Sequence, residues 1–375
     1  MSWAAWITGR STADTSRIAQ VAAERLRAAG DDVAVLELDA LRRCLTPAPT
    51  GSDEEREALQ RALVYIAACL VEAGRPVIVD ATEPAPIWRD LARATIPRFV
   101  ALDVAGAPTV DAAADTVVDV IGRRPPRRRW TPDAAALGRR LLPDKGSEEE
   151  RAIARRARAW VAREAMVREQ IAGRGVRDAA VLAAMRAVPR EEFVDRDLAP
   201  EAYEDAPLPI GEGQTISQPY IVAVMTEALR LAPRDRVLEI GTGSGYAAAV
   251  LARIAGDVYT VERIESLAEM ARRRLAALGY GNVHVRHGDG SLGWPEHAPY
   301  DAIVVTAGGP HVPPPLLQQL ALGGRLVMPV GASHCQRLVR VVQRAPDVYD
   351  RQALEEVCFV PLVGAEGWPA VEGGC

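Results

Sequence analysis

The chain has 375 residues, 49% of them hydrophobic and 25% charged, with a net charge of −5 at pH 7. That length buries two sizeable cores, so two domains are expected, and the negative balance excludes a general polyanion binder. No apolar run approaches the ~18 residues that a membrane-crossing helix needs, and Met1–Ile7 is too short and uncharged for a secretory signal, so a cytoplasmic protein is expected.

A predicted strand leads into Trp6-Ile-Thr-Gly9, followed by a helix over Arg17–Ala29, a strand over Val33–Asp39, a helix over Leu59–Ala73, and strands over Pro76–Asp80 and Phe99–Val104. Alternating strands and helices make this first third an α/β domain. Its layout resembles adenylylsulfate kinase, a P-loop kinase, over about residues 3–105. The resemblance rests on Trp6–Gly9, on Leu36–Asp39 with Arg42, on Glu55-Arg56 and Arg61, and on Pro84 with Arg89. A phosphate-holding loop needs G-x-x-x-x-G-K-[ST], yet Asp14 stands at the second glycine and Thr15 at the lysine, and only Ser16 is retained. Lys145, the sole lysine, lies too far along the chain to replace it. The Lys-Gly-Leu-Tyr lid segment is missing too, as is an asparagine expected near Leu59. Residues 1–121 therefore read as an inactive kinase-like domain, either an appendage or a module that binds a peptide or protein partner.

Gly122-Arg-Arg-Pro-Pro-Arg-Arg-Arg-Trp130 opens a segment, 122–147, whose proline and arginine density predicts an exposed linker. Ser147 with Glu150 is a capping box for a long helix that enters a second domain, 148–375.

The most informative stretch of that domain is Arg236-Val-Leu-Glu-Ile-Gly-Thr-Gly-Ser-Gly-Tyr246. A strand, Val237–Ile240, carries Glu239 at its end; Gly241, Gly243 and Gly245 allow a tight turn and close approach to a ligand; a helix follows over Ala247–Ile254. A second strand, Val258–Glu262, ends on an acid at the spacing where a carboxylate meets ribose hydroxyls. A dinucleotide site would place its third glycine where Tyr246 stands, so no pyrophosphate cradle is evident. Val283–Gly290 reads as a third strand ending in Gly288-Asp289-Gly290, where a carboxylate can accept from an adenine amino group. Tyr300–Thr306 is a buried parallel strand, Pro313–Leu320 a short helix, Arg325–Val330 a fifth strand, and Leu338–Val342 and Val357–Val360 supply two more. The domain is a doubly wound α/β sheet.

Glu239-x-Gly-x-Gly-x-Gly245 resembles the first motif of Rossmann-like S-adenosylmethionine-dependent methyltransferases. Val167–Ile171, Val188–Val194, Leu208–Tyr220 and Cys358–Gly364 narrow the resemblance to protein-L-isoaspartate O-methyltransferase, over about residues 150–368, with Thr215-Ile-Ser-Gln-Pro219 its specific part. The resemblance implies S-adenosylmethionine as cofactor, held by Glu239, Gly241, Gly243, Gly245, Glu262, Asp289 and Gly290. It further implies methyl transfer to the α-carboxylate of L-isoaspartyl residues, leading to succinimide formation and repair, with Ser217 as the active-site residue and Thr215 and Gln218 beside the substrate. Ser217 also fits a helix cap, since Ser-x-Pro opens helices, and both roles can hold at once.

A carboxylate substrate with a pKa near ~4 is ionised at neutral pH and needs no strong base. Nucleic-acid amino methylation would want Asp/Asn-Pro-Pro-aromatic where Thr306–Pro310 stands, and cytosine methylation a Pro-Cys pair that does not occur. His284, His287, His297, His311 and His334 show no ligand spacing and the five cysteines form no C-x-x-C, so no metal is expected and a reducing compartment fits. Cys69 and Cys358 sit in apolar runs and are expected in cores. Two alternatives stay open: methylation of an aspartate in a biosynthetic precursor peptide, and a non-catalytic cofactor sensor.

Overall fold

The computed structural model describes residues 2–9, 11–81, 86–96, 98–122, 134–142, 146–332 and 335–369. Pro84, the Arg-Pro segment from 123 to 130, Lys145, His334 and Cys375 lie outside the described residues. The chain forms two compact units, Met1–Val161 and Ala162–Cys375.

The first unit runs β1 (Ala4–Thr8), α1 (Thr12–Ala28), β2 (Ala34–Glu37), α2 (Leu38–Leu45), α3 (Asp53–Glu72), β3 (Val77–Asp80), α4 (Pro86–Thr95), β4 (Phe99–Asp103), α5 (Val110–Gly122) and α6 (Ala134–Leu141), and α7 (Glu148–Ala165) carries the chain across the division. Its sheet is parallel, ordered β2-β3-β1-β4. Apolar side chains cover both faces, as such a sheet requires. Ile7 and Ile78 pack with α1 and α5, whereas Trp6, Leu36 and Val79 pack with α3. Helix α3 is buried nearly all round because Leu137, Leu141, Leu142, Ile153, Ala154 and Ala157 join the same cluster. Over 134–142, the part of the expected 122–147 linker that is described between its flanks, this replaces an exposed linker with a core element. Leu137 and Leu141, one helical turn apart, give α6 an apolar face that proline and arginine density nearby obscures.

Helix α1 also starts earlier than expected. Ser11 caps it by accepting from Asp14 N at 3.2 Å, so Thr12–Ser16 are helical rather than looped. Thr15 is 0% exposed, and a Cβ on Gly9 would lie 2.5 Å from its methyl group. Helix and side chain thereby fill the space where a phosphate loop would open. Ser16, the retained hydroxyl, donates to Asp80.

The second unit continues through α8 (Ala179–Ala187), β5 (Leu208–Gly211), β6 (Gln214–Ile216), α9 (Pro219–Leu229), β7 (Arg236–Ile240), α10 (Tyr246–Ala252), β8 (Asp257–Glu262), α11 (Glu265–Ala277), β9 (Val283–His287), β10 (Tyr300–Val305), α12 (Pro314–Gln318), β11 (Leu320–Ala332), β12 (Cys335–Ala345) and β13 (Val348–Val357). Its sheet is ordered β13-β12-β11-β10-β7-β8-β9, parallel from β11 to β9 and antiparallel across β11-β12-β13. Successive strands run outward from β7 in both directions, so the chain reverses its winding between β7 and β10. Crevices at such switch points, beyond the carboxyl ends of the strands, are where ligands bind in open α/β sheets.

The last strand lies at Val348–Val357, ahead of the expected Val357–Val360. Cys358, just past it, is exposed rather than in the core, because the chain leaves the sheet there. Cys69 is buried as expected, and burial pushes its thiol up to about 12. No helix among the described residues is long and apolar enough to cross a membrane.

Candidate active site

A cleft of about 310 Å³ opens at the β7/β10 switch point, within the range of small-molecule sites. The carboxyl ends of β7, β8 and β10 supply Gly241, Glu262 and Thr306; the segment before α9 supplies Thr215 and Ser217; residues 360–363 form a further wall.

Gly241 shows why the loop is glycine-rich. Its φ is +95°, a region that L side chains rarely adopt, and a Cβ there would lie 2.4 Å from Thr306 Oγ1. That hydroxyl cannot swing away freely, because it donates to Ile240 O at 3.0 Å and Gly241 O at 2.7 Å. Gly243 and Gly245 also have positive φ, and Gly243 lines the cleft whereas Gly245 lies behind it as the residue preceding α10.

Glu262 is 7% exposed, and each of its oxygens accepts one backbone hydrogen bond of 2.9 Å, Oε2 from Gly243 N and Oε1 from Ile264 N. Each oxygen keeps a lone pair for a ligand hydroxyl. The carboxylate is thus fixed before any ligand arrives and ties the glycine loop to the end of β8.

Other expected residues stand elsewhere. Glu239 does not line the cleft; strand alternation points it away from the side of Leu238 and Ile240, and its Oε2 lies 2.6 Å from Thr260 Oγ1. Asp289 does not line it either, although Gly290 does. Its Oδ1 accepts from Ser291 N and Ser291 Oγ, at 2.9 and 2.7 Å, and its Oδ2 from Ala365 N at 2.8 Å. That carboxylate anchors the C-terminal segment. Gln218 is the N-cap residue of α9 and donates through Nε2 to Asp205 O at 3.1 Å, outside the cleft lining.

Ser217 and Thr215 do line the cleft. Helix α9 begins without any side-chain cap, so the capping role expected for Ser217 is not taken up. Its hydroxyl has no hydrogen-bond partner among the described residues and is available to a ligand. The wall at 360–363 was not foreseen as part of the site. It is held by Gly308 N donating to Val360 O, Leu362 N donating to Gly308 O, and Trp368 Nε1 donating to Gly308 O. Its only local signal is the Cys358–Gly364 run itself.

Residues 161–367 match the family model described as protein-L-isoaspartate(D-aspartate) O-methyltransferase. The chain belongs to that family. Similar proteins include protein-L-isoaspartate O-methyltransferase 2 of Pelobacter propionicus, 69% identical over 207 residues that cover 55% of this chain and 92% of the relative. The protein-L-isoaspartate O-methyltransferase of Protochlamydia amoebophila is 59% identical, over 54% of this chain and 97% of the relative. A solved protein-L-isoaspartate O-methyltransferase structure is 34% identical, with a TM-score of 0.50 over 55% of this chain and 67% of that one. Residues 1–116 match the adenylylsulphate kinase family model.

The cofactor of this methyltransferase fold is S-adenosylmethionine, and the cleft's chemistry suits it. Gly241 lets the loop pass tight against Thr306, where a Cβ would collide, and Glu262 holds preset acceptors at the cleft of the kind that ribose hydroxyls require. Glu262→Ala is expected to weaken S-adenosylhomocysteine by ~1–3 kcal/mol, the range for hydrogen bonds to a charged group. Calorimetric titration checks this, and unchanged affinity would reject the ribose role.

Proposed function

We propose that the Ala162–Cys375 unit methylates the α-carboxylate of L-isoaspartyl residues in damaged proteins or peptides, so that the ester collapses to a succinimide and repair begins. The observation that carries this reading, within the family, is Ser217: a hydroxyl unused by the fold, lining the same cleft as the glycine loop and Glu262. When bound, S-adenosylmethionine supplies an electrophilic methyl group. The protein's share is positioning. Ser217 and Thr215 donate to the substrate carboxylate, which is ionised at neutral pH and needs no base. Glu262 and the glycine loop hold the nucleoside and amino-acid ends, while residues 360–363 close one side against water.

Methanol released from an isoaspartyl peptide, compared with its normal aspartyl twin, tests the reading. Release from the isoaspartyl peptide alone is expected. Ser217→Ala should lower kcat/KM ~10–100-fold, the worth of one hydrogen bond to a charged group, with S-adenosylhomocysteine affinity retained. Preference for the aspartyl twin would turn the reading toward peptide tailoring, and binding without methyl transfer toward a sensor.

A further inference from the structure

Behind the glycine loop lies a carboxyl group that methyl transfer does not use. Glu239 is 0% exposed, and only one of its oxygens has a partner: Thr260 Oγ1 lies 2.6 Å from Oε2, while Oε1 has none. Thr260 Oγ1 is in turn 2.6 Å from Thr242 Oγ1, and Thr242 lines the cleft. Thr260 is 0% exposed and Thr242 4%, so the row is buried up to the point where Thr242 meets the cleft.

Such a row has two polarities. An ionised Glu239 can only accept, so Thr260 points its hydrogen at Glu239, Thr242 points its own at Thr260, and Thr242 shows the cleft lone pairs alone. A proton on Oε2 reverses both hydroxyl hydrogens, and the Thr242 O–H becomes free to donate beyond the row. We propose that Glu239 is held as a neutral carboxylic acid whose Oε2 proton sets this second polarity, making Thr242 a hydrogen-bond donor to the carboxylate of the bound cofactor's amino-acid end. The proposal rests on the methyltransferase reading of the cleft. The carboxylate is the acceptor because the ammonium group at that end has no lone pair.

Three observations support the neutral form. A wholly buried carboxylate with a single hydrogen bond leaves most of its lost hydration uncompensated. The proton belongs on Oε2, since an O–H on Oε1 would have no acceptor. Burial, with the like charge of Glu262 adding to it and the Thr260 bond opposing, raises the group to about 8. Among the described residues, Glu262 of β8 is the charge that raises it. Ionisable groups on the neighbouring elements have partners of their own: Tyr220 of α9 donates to Glu355, Glu227 accepts from Arg177 N and Asp178 N, Tyr246 of α10 is held up at about 12, and Asp301 of β10 accepts from Arg236 N.

The test is calorimetric titration of wild type, Glu239→Gln, Thr260→Val and Thr260→Ser with S-adenosylhomocysteine and with 5′-methylthioadenosine, which lacks the amino-acid end, at pH 7 and pH 9. Glutamine mimics the neutral acid at every pH, and its profile subtracts the ligand amine's own titration. Relative to Glu239→Gln, wild type is expected to lose ~10-fold in S-adenosylhomocysteine affinity by pH 9, because a group of pKa about 8 is then ~10 parts ionised to one neutral. Methylthioadenosine should show no such difference. Thr260→Val should bind S-adenosylhomocysteine more weakly at pH 7 without the excess pH dependence, and Thr260→Ser should restore both. Infrared spectra of the ligand-free protein should show, at pH 7, a carboxylic-acid band that Glu239→Gln removes.

Equal pH profiles for wild type and Glu239→Gln would overturn the proposal. So would wild-type affinity in Thr260→Val, a result that decides even if Glu239→Gln fails to fold. A wild type that binds neither ligand would instead overturn the functional reading on which the relay rests.

Discussion

Gly241→Ala is expected to cost the methyltransferase at least ~100-fold in cofactor affinity. Two penalties coincide at this position. At φ +95° an alanine carries backbone strain of ~1–3 kcal/mol, and its Cβ would lie 2.4 Å from Thr306 Oγ1. The hydroxyl is pinned by Ile240 O and Gly241 O, so relief requires breaking those bonds or moving the loop. Moving the loop carries Gly243 N away from Glu262 and loosens the preset acceptor as well. Each ~1.4 kcal/mol is tenfold in affinity, so two modest penalties reach the stated loss. Titration with S-adenosylhomocysteine measures it, and adding Thr306→Ala should recover part. Wild-type affinity in the single variant would show that the loop yields without cost.

The purified full-length protein is expected to form no 3′-phosphoadenylylsulfate from ATP and adenylylsulfate, with turnover no higher than in Ser16→Ala. Phosphoryl transfer needs a cradle of backbone N–H groups and a cation on the transferring phosphate. Here α1 begins at Thr12 and Ser11 takes up the N–H groups of Asp14 and Thr15, through its side chain and its carbonyl, while Asp14 adds negative charge. Thr15, where the lysine would stand, is buried against Gly9, and Ser16 is held by Asp80. Arg42 is likewise engaged, 3.4 Å from the buried Glu55 carboxylate. Thr15→Lys should therefore not revive turnover, for the chain leaves that side chain no room. Product above the Ser16→Ala level would make this a bifunctional enzyme.

The parallel strands, the glycine loop and the acid that closes β8 were legible because each has a local signature: apolar runs of strand length, glycines at alternate positions, and a carboxylate ending the next strand. Glu239 misled because proximity to the loop in sequence suggested contact, whereas the two-residue period of a strand sends it to the other face from Ile240. Asp289 sits where an adenine ligand is expected, but its partner, Ala365 N, comes from a distant segment that no local pattern connects to it. The same distance hid the wall at 360–363. Helix α6 was masked by neighbouring arginines and prolines, although Leu137 and Leu141 already carry its spacing. The early start of α1 was readable in Ser11 and Asp14, a cap and its first-turn acid, but the kinase resemblance drew the helix to begin later.

The wall formed by Val360–Val363 gives cofactor binding a place in the order of synthesis. The glycine loop, Glu262 and Thr306 all leave the ribosome before it does, and the Asp289 carboxylate waits for Ala365. A nascent chain can thus build the parallel strands of its sheet while its cleft still lacks one side. Mass-action stabilisation by S-adenosylmethionine then falls on the finished fold and not on its precursors, so the ligand favours completed chains over shortened ones.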